Sequence, residues 1–151
     1  MKKLKDLIPT YKDFPKKGIY FKDVLEIMQE PEVFSELIHQ MSSSLLLKRS
    51  EAIISIDARG FIFGSAIAFK SSKPMIVARK PGKLPGGIVT EKYNSFVIVD
   101  DLLATGGTVA CVANLLRRND KKISGLLTVV ELLTLKGRNK FNFPVESFIS
   151  F

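Results

Sequence analysis

The sequence has only one cysteine and one histidine, and both scarcities limit what the protein can be. Cys111 alone excludes an internal disulfide, and together with His39 it offers too few ligands for a zinc site. No apolar run approaches the roughly 20 residues that a membrane-spanning helix requires. The first residues are basic, but no apolar stretch follows them. We therefore expect neither export nor membrane insertion, and a cytoplasmic, reducing compartment.

Internal repeats, low-complexity tracts and linkers are also missing from the sequence. A chain of 151 residues with 46% hydrophobic residues fits one domain, residues 1–151, with a single core. We expect Cys111 to be a small buried hydrophobic residue, since it falls within a predicted helix. We expect His39 to be exposed to solvent rather than catalytic, because it lies off the apolar face of its helix.

The formal net charge of +8 raises the question of nucleic-acid binding. The lysines are spread along the chain, with no run of five and no alternation with aromatic residues. We therefore expect no specific nucleic-acid partner. Part of the excess charge would instead serve a substrate with several phosphate groups, and the candidates are Arg59, Arg79, Lys80 and Lys83.

Apolar residues alternate between helical and strand spacing along the chain. Pro31 suits the first position of a helix. Its apolar face is expected to comprise Phe34, Leu37, Ile38, Met41 and Leu45. The other predicted helices are 61–69 and 109–117, and the predicted strands are 52–56, 75–78, 96–99, 126–130 and 147–149. Apolar strands separated by helices predict an α/β fold with a parallel sheet covered on both faces.

The segment 96–108, FVIVDDLLATGGT, has the most specific pattern in the chain. Its apolar start predicts a buried strand that delivers the following loop to the carboxyl edge of the sheet. Gly106 and Gly107 allow the backbone to come close to an anion. Thr105 and Thr108 add hydroxyl donors, and the next helix directs its free N–H groups at the same place. The pattern predicts a phosphate-binding loop.

Two carboxylates precede this loop. Asp100 and Asp101 directly follow the predicted strand, which we expect to end at Val99. Their separation from the loop is about that of a sugar, so they suit the 2′ and 3′ hydroxyls of a ribose. Strand, carboxylates and loop together predict a site for a ribose 5-phosphate.

DDLLATGGT resembles the phosphoribosyl-diphosphate signature of the type I phosphoribosyltransferases, and in particular of those that act on adenine. Four more segments are similar to the family's motifs and stand in its order. They are DFPKKGIYFKD at 13–23, DARGFIFG at 57–64, RKPGKLP at 79–85 and VELLTLKGR at 130–138. The similarity extends over roughly residues 6–149. Five motifs in one order are far more specific than any single motif.

This resemblance implies a Rossmann-like central parallel sheet with helices on both faces. It adds a small N-terminal hood, roughly residues 1–30, that binds the base. The implied reaction transfers the 5-phosphoribosyl group from 5-phosphoribosyl 1-diphosphate to adenine, giving AMP and diphosphate. Mg²⁺ is expected, bound mainly through substrate oxygens and waters, so we name no protein metal ligand. A homodimer is the family's expected assembly.

The resemblance also assigns residues to each part of the substrate. The 5′-phosphate is expected on Ala104, Thr105, Gly106, Gly107 and Thr108. The ribose hydroxyls are expected on Asp100 and Asp101. The diphosphate is expected at Asp57, Ala58, Arg59, Arg79, Lys80 and Lys83. The family pattern also has a cis peptide, which would fall between Asp57 and Ala58.

The implied adenine pocket comprises Tyr20, Phe21, Lys22 and Leu132. Phe21 and Leu132 would enclose the ring, while backbone groups around Tyr20 and Lys22 would recognise its edge. A buried carbonyl facing the amino group would reject 6-oxo purines by leaving polar groups unpaired. Many relatives have arginine in place of Lys22. That exchange matters little if the contact is made by the main chain, and more if the side chain is used.

Between Lys80 and Phe96 the chain departs from the family pattern, with roughly two dozen residues absent from a mobile loop that closes over substrates. In relatives this loop contains a glutamate that exchanges a proton with the purine. Three interpretations stay open. The sequence omits a segment of the protein, the protein has lost it and keeps little activity, or a shortened loop with Glu91 and Tyr93 covers the site. Glu91 is either a substitute acid/base or an exposed loop charge.

Two other functions also stay open. A phosphoribosyltransferase for another base, such as xanthine or a pyrimidine, is disfavoured by the adenine-type N-terminal segment. A non-catalytic nucleotide-binding regulator is suggested by the missing segment and the net charge. The lack of a separate DNA-binding domain counts against such a regulator, and salt-sensitive DNA binding would favour it.

Overall fold

The computed structural model describes residues 4–14, 16–79 and 92–151. An N-terminal hairpin pairs the antiparallel strands Thr10–Lys12 (β1) and Tyr20–Lys22 (β2). The strands of the main sheet are Ala52–Ile56 (β3), Met75–Ala78 (β4), Ser95–Leu103 (β5), Lys122–Glu131 (β6) and Val145–Ser150 (β7). All of their pairings are parallel, and the order is β4-β3-β5-β6-β7.

Helices cover both faces of this sheet. The α-helices are Pro31–Ser43 (α1), Leu45–Lys48 (α2), Gly60–Ser71 (α3) and Gly107–Arg118 (α4). Short 3₁₀ helices span Leu4–Leu7, Val24–Gln29, Leu133–Leu135 and Gly137–Lys140. Alternate strand residues face opposite layers. Ile53 and Val97 pack with α1, α2 and α3, whereas Ile54 and Ile98 pack with α4. The predicted parallel sheet, covered on both faces, is confirmed.

Several predicted boundaries differ from the observed ones; β6, for example, begins at Lys122 instead of 126. Two of the differences have a clear physical reason. The strand expected to end at Val99 continues to Leu103, because Asp100 pairs with Thr128 of β6. The first helix ends before Leu45, which is 62% exposed and does not belong to its apolar face. The reason is Ser44, whose hydroxyl accepts a hydrogen bond from the Leu46 N–H at 3.1 Å and so begins a new helix.

One prediction about a helix side chain also fails. Cys111 is exposed, not buried, because the packed face of α4 consists of Val109, Val112, Ala113 and Leu116. His39 is exposed, as predicted. Among the residues that the structure describes, every helix is too short or too polar to cross a bilayer.

The strand order has a reversal beside β3. From β3 the chain passes through α3 to β4 on one side, whereas β5 lies on the other side and leads through α4 to β6. The connections that leave β3 and β5 therefore diverge and open a crevice at the carboxyl ends of these strands. Open α/β sheets bind ligands at such a switch point.

Candidate active site

The two turns expected to bind phosphate groups meet at this crevice. The turn 57–59 follows β3, and the loop 104–106 follows β5. The hydroxyl of Ser55 donates to the carbonyl of Gly60 at 2.7 Å and holds the first turn against its strand. A Cβ built on Gly60 would lie 3.2 Å from Asp100 Oδ1. The turn after β3 therefore touches the carboxylates of β5.

The loop between β5 and α4 borders a cavity of about 150 Å³. Gly106 caps α4 with φ of +75°, a conformation that favours glycine. The first N–H groups of α4 have no partners within the helix, and they lie beside this cavity. Its lining includes all five residues predicted for the 5′-phosphate, namely Ala104, Thr105, Gly106, Gly107 and Thr108.

Asp100 and Asp101 lie inside β5 and are buried, with 8% and 5% exposure. The N–H of Asp101 donates to Asp100 Oδ1 at 2.9 Å. Burial, and next the charge of Asp101, raise the pKa of Asp100 from 3.8 to about 8. Asp100 therefore holds its proton at neutral pH. Hydroxyl groups that donate hydrogen bonds to this carboxylate would favour its ionised form.

Arg59 joins the turn after β3 to β5 and to the hairpin. Its Nε lies 2.7 Å from Asp101 Oδ2, an ion pair that lacks hydrogen-bond geometry. That oxygen makes no hydrogen bond within the described residues and keeps its capacity to accept one. The guanidinium also lies over the ring of Phe21, 5.3 Å from its centroid. A cation, a carboxylate and an aromatic ring therefore meet at one point.

The turn 57–59 also positions a second cationic side chain, that of Arg79. The peptide bond between Asp57 and Ala58 is cis, as predicted. The N–H of Asp57 donates to the carbonyl of Ala78 at 3.0 Å, which ties the turn to the end of β4. Arg79 Nε donates to Asp57 Oδ2 at 3.2 Å. The side chains of Arg59 and Arg79 are each about one third exposed, so an anion can reach both.

The side chain of Lys22 contacts Thr10 and Phe151. Its ammonium lies 3.6 Å from the centroid of the Phe151 ring and donates to the hydroxyl of Thr10 at 2.5 Å. Burial, and next the charge of Lys5, lower the pKa of Lys22. These contacts favour the interpretation in which a ligand meets the main chain at Lys22.

Phe151 connects the hairpin to the segment after β6. Its carbonyl accepts from the N–H of Leu133 at 2.8 Å, while its ring contacts Lys22. The N–H of Leu132 donates to the carbonyl of Leu103 at 2.9 Å, at the end of β5. Tyr20 is 57% exposed on the hairpin. The predicted base-binding residues therefore lie on two segments that meet through Phe151.

Three predicted site residues, Lys80, Lys83 and Glu91, lie outside the described residues. Tyr93 is described and packs against the core on the α4 side, just before β5 begins. The strand from Ser95 to Asp100 spans about 16 Å. Tyr93 therefore lies near the amino edge of the sheet, while the rest of the loop expected to cover the site, residues 80–91, lies outside the described residues.

Sequence reasoning missed a group of residues directly behind the phosphate loop. Glu131 is 1% exposed and pairs with Arg138, and Gly137 packs against the backbone of Ala104. The sequence did contain a signal for this group, the segment VELLTLKGR, which combines a carboxylate, a glycine and an arginine. A role at the protein surface does not explain why these three residue types occur together. Only Leu132 of that segment was assigned a role.

Comparison with known proteins gives a consistent picture. No model of a known protein family matches the chain. An adenine phosphoribosyltransferase from Prochlorococcus marinus (strain AS9601) is 62% identical, and the alignment covers 99% of both chains. An adenine phosphoribosyltransferase from Clostridium perfringens (strain SM101 / Type A) is 38% identical, and the alignment covers 98% of both chains.

Solved structures agree with these relatives. The adenine phosphoribosyltransferase of Thermoanaerobacter pseudethanolicus superposes with a TM-score of 0.89 at 32% identity, covering 98% of both chains. The Saccharomyces cerevisiae enzyme was solved in complex with adenine and an imino-altritol bisphosphate. It superposes with a TM-score of 0.87 at 32% identity, and the superposition covers 96% of this chain and 95% of the yeast chain. The predicted fold is confirmed.

The comparisons also test whether this chain lacks a segment that its relatives have. The alignment with the Prochlorococcus protein runs over 169 positions, whereas this chain has 151 residues. Because 169 exceeds 151 by 18, at least 18 positions of that relative have no counterpart here. The prediction that part of the family's length is absent is confirmed.

Proposed function

The chain belongs to the adenine phosphoribosyltransferase family, and from that premise we propose that it transfers the 5-phosphoribosyl group from 5-phosphoribosyl 1-diphosphate to adenine. The products are AMP and diphosphate, so the reaction is a step of purine salvage. The observation that supports this most is the crevice at the switch point. It brings a phosphate loop, two buried carboxylates and two accessible guanidinium groups to one edge of the sheet.

Each part of the donor substrate has a matching part of this crevice. The 5′-phosphate would bind the N–H groups of 104–108 and the start of α4, where the helix dipole favours an anion. The ribose hydroxyls would donate to Asp100 and Asp101. The diphosphate would lie by the turn 57–59, near Arg59 and Arg79. Lys80 and Lys83 remain candidates for the same group from the sequence alone.

The reaction breaks the bond between the anomeric carbon and the diphosphate, and positive charge develops on the sugar as that bond lengthens. Holding the sugar by its phosphate and hydroxyls fixes the anomeric carbon in line with the base. Positive groups aimed at the leaving diphosphate stabilise its charge. Arg59 pairs with Asp101 in the ligand-free protein, and we propose that it turns to the diphosphate when ribose hydroxyls satisfy that carboxylate.

Adenine would bind between the hairpin and the end of β6. Phe21 supplies an aromatic surface, and its neighbours Arg59 and Phe14 fix the ring, the latter edge-to-face at 5.3 Å. Leu132 would close the other side. Backbone groups near Tyr20 and Lys22 would distinguish the amino group of adenine from the carbonyl of 6-oxo purines.

A magnesium ion is part of the proposal. The described residues include no group of three or more side chains suited to hold a metal, so an ion would be bound mainly by substrate oxygens and water. The hard oxygen ligands of a diphosphate fit Mg²⁺. When bound, the ion would neutralise part of the charge of the leaving diphosphate.

We also propose a homodimer in the cytoplasm. Phe69 of helix α3 is 90% exposed, beside the exposed polar residues Ser65 and Lys70. Aromatic side chains are enriched in the buried centre of protein interfaces. A second copy of this chain is the partner that the family suggests.

The absence of at least 18 positions favours one competing function, a nucleotide-binding module with little turnover. Such a protein would keep the crevice and bind the same ligands. It would lack the residue that exchanges a proton with the purine, so its chemical step would be slow while binding remained tight.

A substrate panel tests the proposal. Initial rates of nucleoside monophosphate formation are measured with 5-phosphoribosyl 1-diphosphate, with and without Mg²⁺, as AMP from adenine, IMP from hypoxanthine and GMP from guanine. We expect turnover with adenine in the presence of Mg²⁺ and at least about a hundredfold less with either 6-oxo purine. Equal rates with the three bases would overturn the adenine assignment.

A further inference from the structure

An ion pair between the buried Glu131 and the partly exposed Arg138 lies at the carboxyl end of β6, one strand away from the crevice. Glu131 accepts from Arg138 Nε on Oε1 at 2.6 Å, and Arg138 Nη2 donates to Oε2. The hydroxyl of Ser147 donates to the same Oε2 at 2.8 Å. Hydrogen bonding from Arg138 lowers the pKa of Glu131, and the bond to Glu131 raises the pKa of Arg138. Both groups are therefore charged, and the pair is fixed in a two-pronged geometry.

Arg138 stands next to a glycine that touches the phosphate loop. A Cβ built on Gly137 would lie 2.2 Å from the carbonyl oxygen of Ala104 and 3.1 Å from the amide nitrogen of Gly106. In the reverse direction, a Cβ on Gly106 would lie 2.9 Å from the carbonyl oxygen of Gly137 and 2.8 Å from the ring of Phe141. The two backbones are thus in direct contact, with no room for a methyl group on either side.

The geometry points to a clamp, formed by Glu131, Gly137 and Arg138, that sets the position of the phosphate loop. Arg138 fastens its 3₁₀ turn, Gly137–Lys140, to the end of β6, and Gly137 then supports the loop 104–106 from behind. The clamp residues are positioning residues, since they act on the 5′-phosphate through the loop. This inference rests on the proposed function only in naming 5-phosphoribosyl 1-diphosphate as the ligand.

The physical reason for such a clamp is the sensitivity of phosphate binding to loop position. N–H donors act at 2.7–3.2 Å, and a misplacement of about 1 Å removes most of their benefit. The loop contains Gly106, followed by Gly107 at the start of α4, and would lose much freedom on binding. A support that fixes it beforehand lowers that cost.

A purely structural role is the alternative, because a buried ion pair often contributes little to net stability but is costly to break. The two roles differ in which constants they change. A structural defect would lower the thermal midpoint and affect both substrates equally. A displaced phosphate loop would weaken the phosphate-bearing ligand and leave adenine unaffected.

The test uses the full chain with Gly137→Ala, Arg138→Lys and Arg138→Gln. The matched control is Gly125→Ala, at φ of +155° in β6, where a Cβ would lie 2.7 Å from both Leu46 Cδ1 and the carbonyl oxygen of Pro144. That glycine lies towards the amino end of the sheet, far from the loop. Calorimetry with ribose 5-phosphate measures the phosphate site without turnover, and Michaelis constants are measured for both substrates.

We expect Gly137→Ala and Arg138→Gln to weaken ribose 5-phosphate binding by about tenfold or more and to raise the Michaelis constant for 5-phosphoribosyl 1-diphosphate similarly. The Michaelis constant for adenine should stay within about twofold of the wild-type value. Arg138→Lys should bind ribose 5-phosphate more tightly than Arg138→Gln but less tightly than the wild type. Gly125→Ala should lower the thermal midpoint without changing ribose 5-phosphate affinity.

Equal loss of ribose 5-phosphate affinity in Gly125→Ala and the clamp variants would overturn the clamp, as would unchanged affinity in Arg138→Gln. If Gly137→Ala does not fold, the two Arg138 variants decide. Failure of wild-type turnover would count against the proposed function alone, because the calorimetric comparison does not depend on it.

Discussion

At the residue scale, the candidate site is a set of charges that already have partners before any ligand arrives. Arg59 pairs with Asp101, and Arg79 with Asp57. Asp100 differs from these, because burial and the charge of Asp101 raise its pKa to about 8. A substrate that binds Arg59 and Arg79 would replace these partners, and hydroxyl groups that donate to Asp100 would favour its ionised form.

This pKa predicts how the stability of the ligand-free protein changes with pH. Between pH 3.8 and about 8 the folded chain holds a proton on Asp100 that the unfolded chain releases, so the contribution of Asp100 to stability falls as pH rises through this range. Asp100→Asn stays neutral throughout. We expect it to raise the unfolding midpoint relative to the wild type at pH 8 and to do so much less at pH 4, measured by thermal scans.

Asp120→Asn serves as the control for this comparison, since Asp120 is exposed and outside the crevice. Its difference from the wild type should be the same at both pH values. A gain from Asp100→Asn that does not depend on pH would mean that the Asp100 carboxyl is ionised in the ligand-free protein.

A second residue-scale prediction concerns the base pocket. Lys22→Arg should leave the Michaelis constant for adenine within about twofold, because the ammonium of Lys22 contacts Phe151 and Thr10 instead of the pocket. Phe21→Ala should raise that constant by about tenfold, since stacking of a base on an aromatic ring contributes roughly 1–3 kcal/mol. A larger effect of Lys22→Arg than of Phe21→Ala would show that the side chain of Lys22 contacts the base.

The positions of the phosphate loop and of Asp100 and Asp101 at one edge of the sheet were predictable, because such loops and adjacent carboxylates have local patterns. The clamp was not, since Glu131 and Arg138 pair across seven positions, and the contact of Gly137 with Ala104 joins segments more than 30 positions apart. The exposed position of Cys111 was misjudged because its neighbours Val109, Val112 and Ala113 take the buried side of α4.

At the element scale, the crevice depends on how closely α3 packs on β3. A Cβ on Gly64 would lie 2.4 Å from the hydroxyl oxygen and 2.7 Å from the Cβ of Ser55. Ser55 also holds the carbonyl of Gly60 at 2.7 Å. The helix, the strand and the turn 57–59 are therefore positioned by one contact.

Gly64→Ala should force α3 away from β3 and lower the free energy of unfolding by about 1–3 kcal/mol. Urea unfolding measures this loss. Ser65→Ala, at the next and exposed position of α3, should change it by no more than about 0.5 kcal/mol. Equal stability of both variants would contradict the tight packing at Gly64.

The order of elements was predictable from the spacing of apolar residues, and several element ends were not. Strand 52–56 was predicted at its observed bounds, because five buried residues follow one another there. β5 extends four residues further than predicted, since pairing of Asp100, Leu102 and Leu103 with β6 overrides the preference of aspartate for turns.

At the scale of the whole molecule, the reversal in strand order makes the crevice, and the outer side of α3 offers a surface for a second copy. Phe69→Lys should convert a dimer to a monomer of 16.8 kDa in sedimentation equilibrium. Leu45→Lys, which changes an exposed leucine on α2, should leave the dimer intact. A wild-type monomer, or a dimer that survives Phe69→Lys, would contradict this interface.

The central claim is that this chain itself converts adenine to AMP. The most direct measurement is a single-turnover experiment with the chain in excess over adenine, 5-phosphoribosyl 1-diphosphate and Mg²⁺ at saturation, on protein whose intact mass is recorded. We predict complete conversion of adenine to AMP by protein of 16.8 kDa. Unconverted adenine, together with tight binding of AMP to the same protein, would contradict the claim and identify the chain as a nucleotide-binding module.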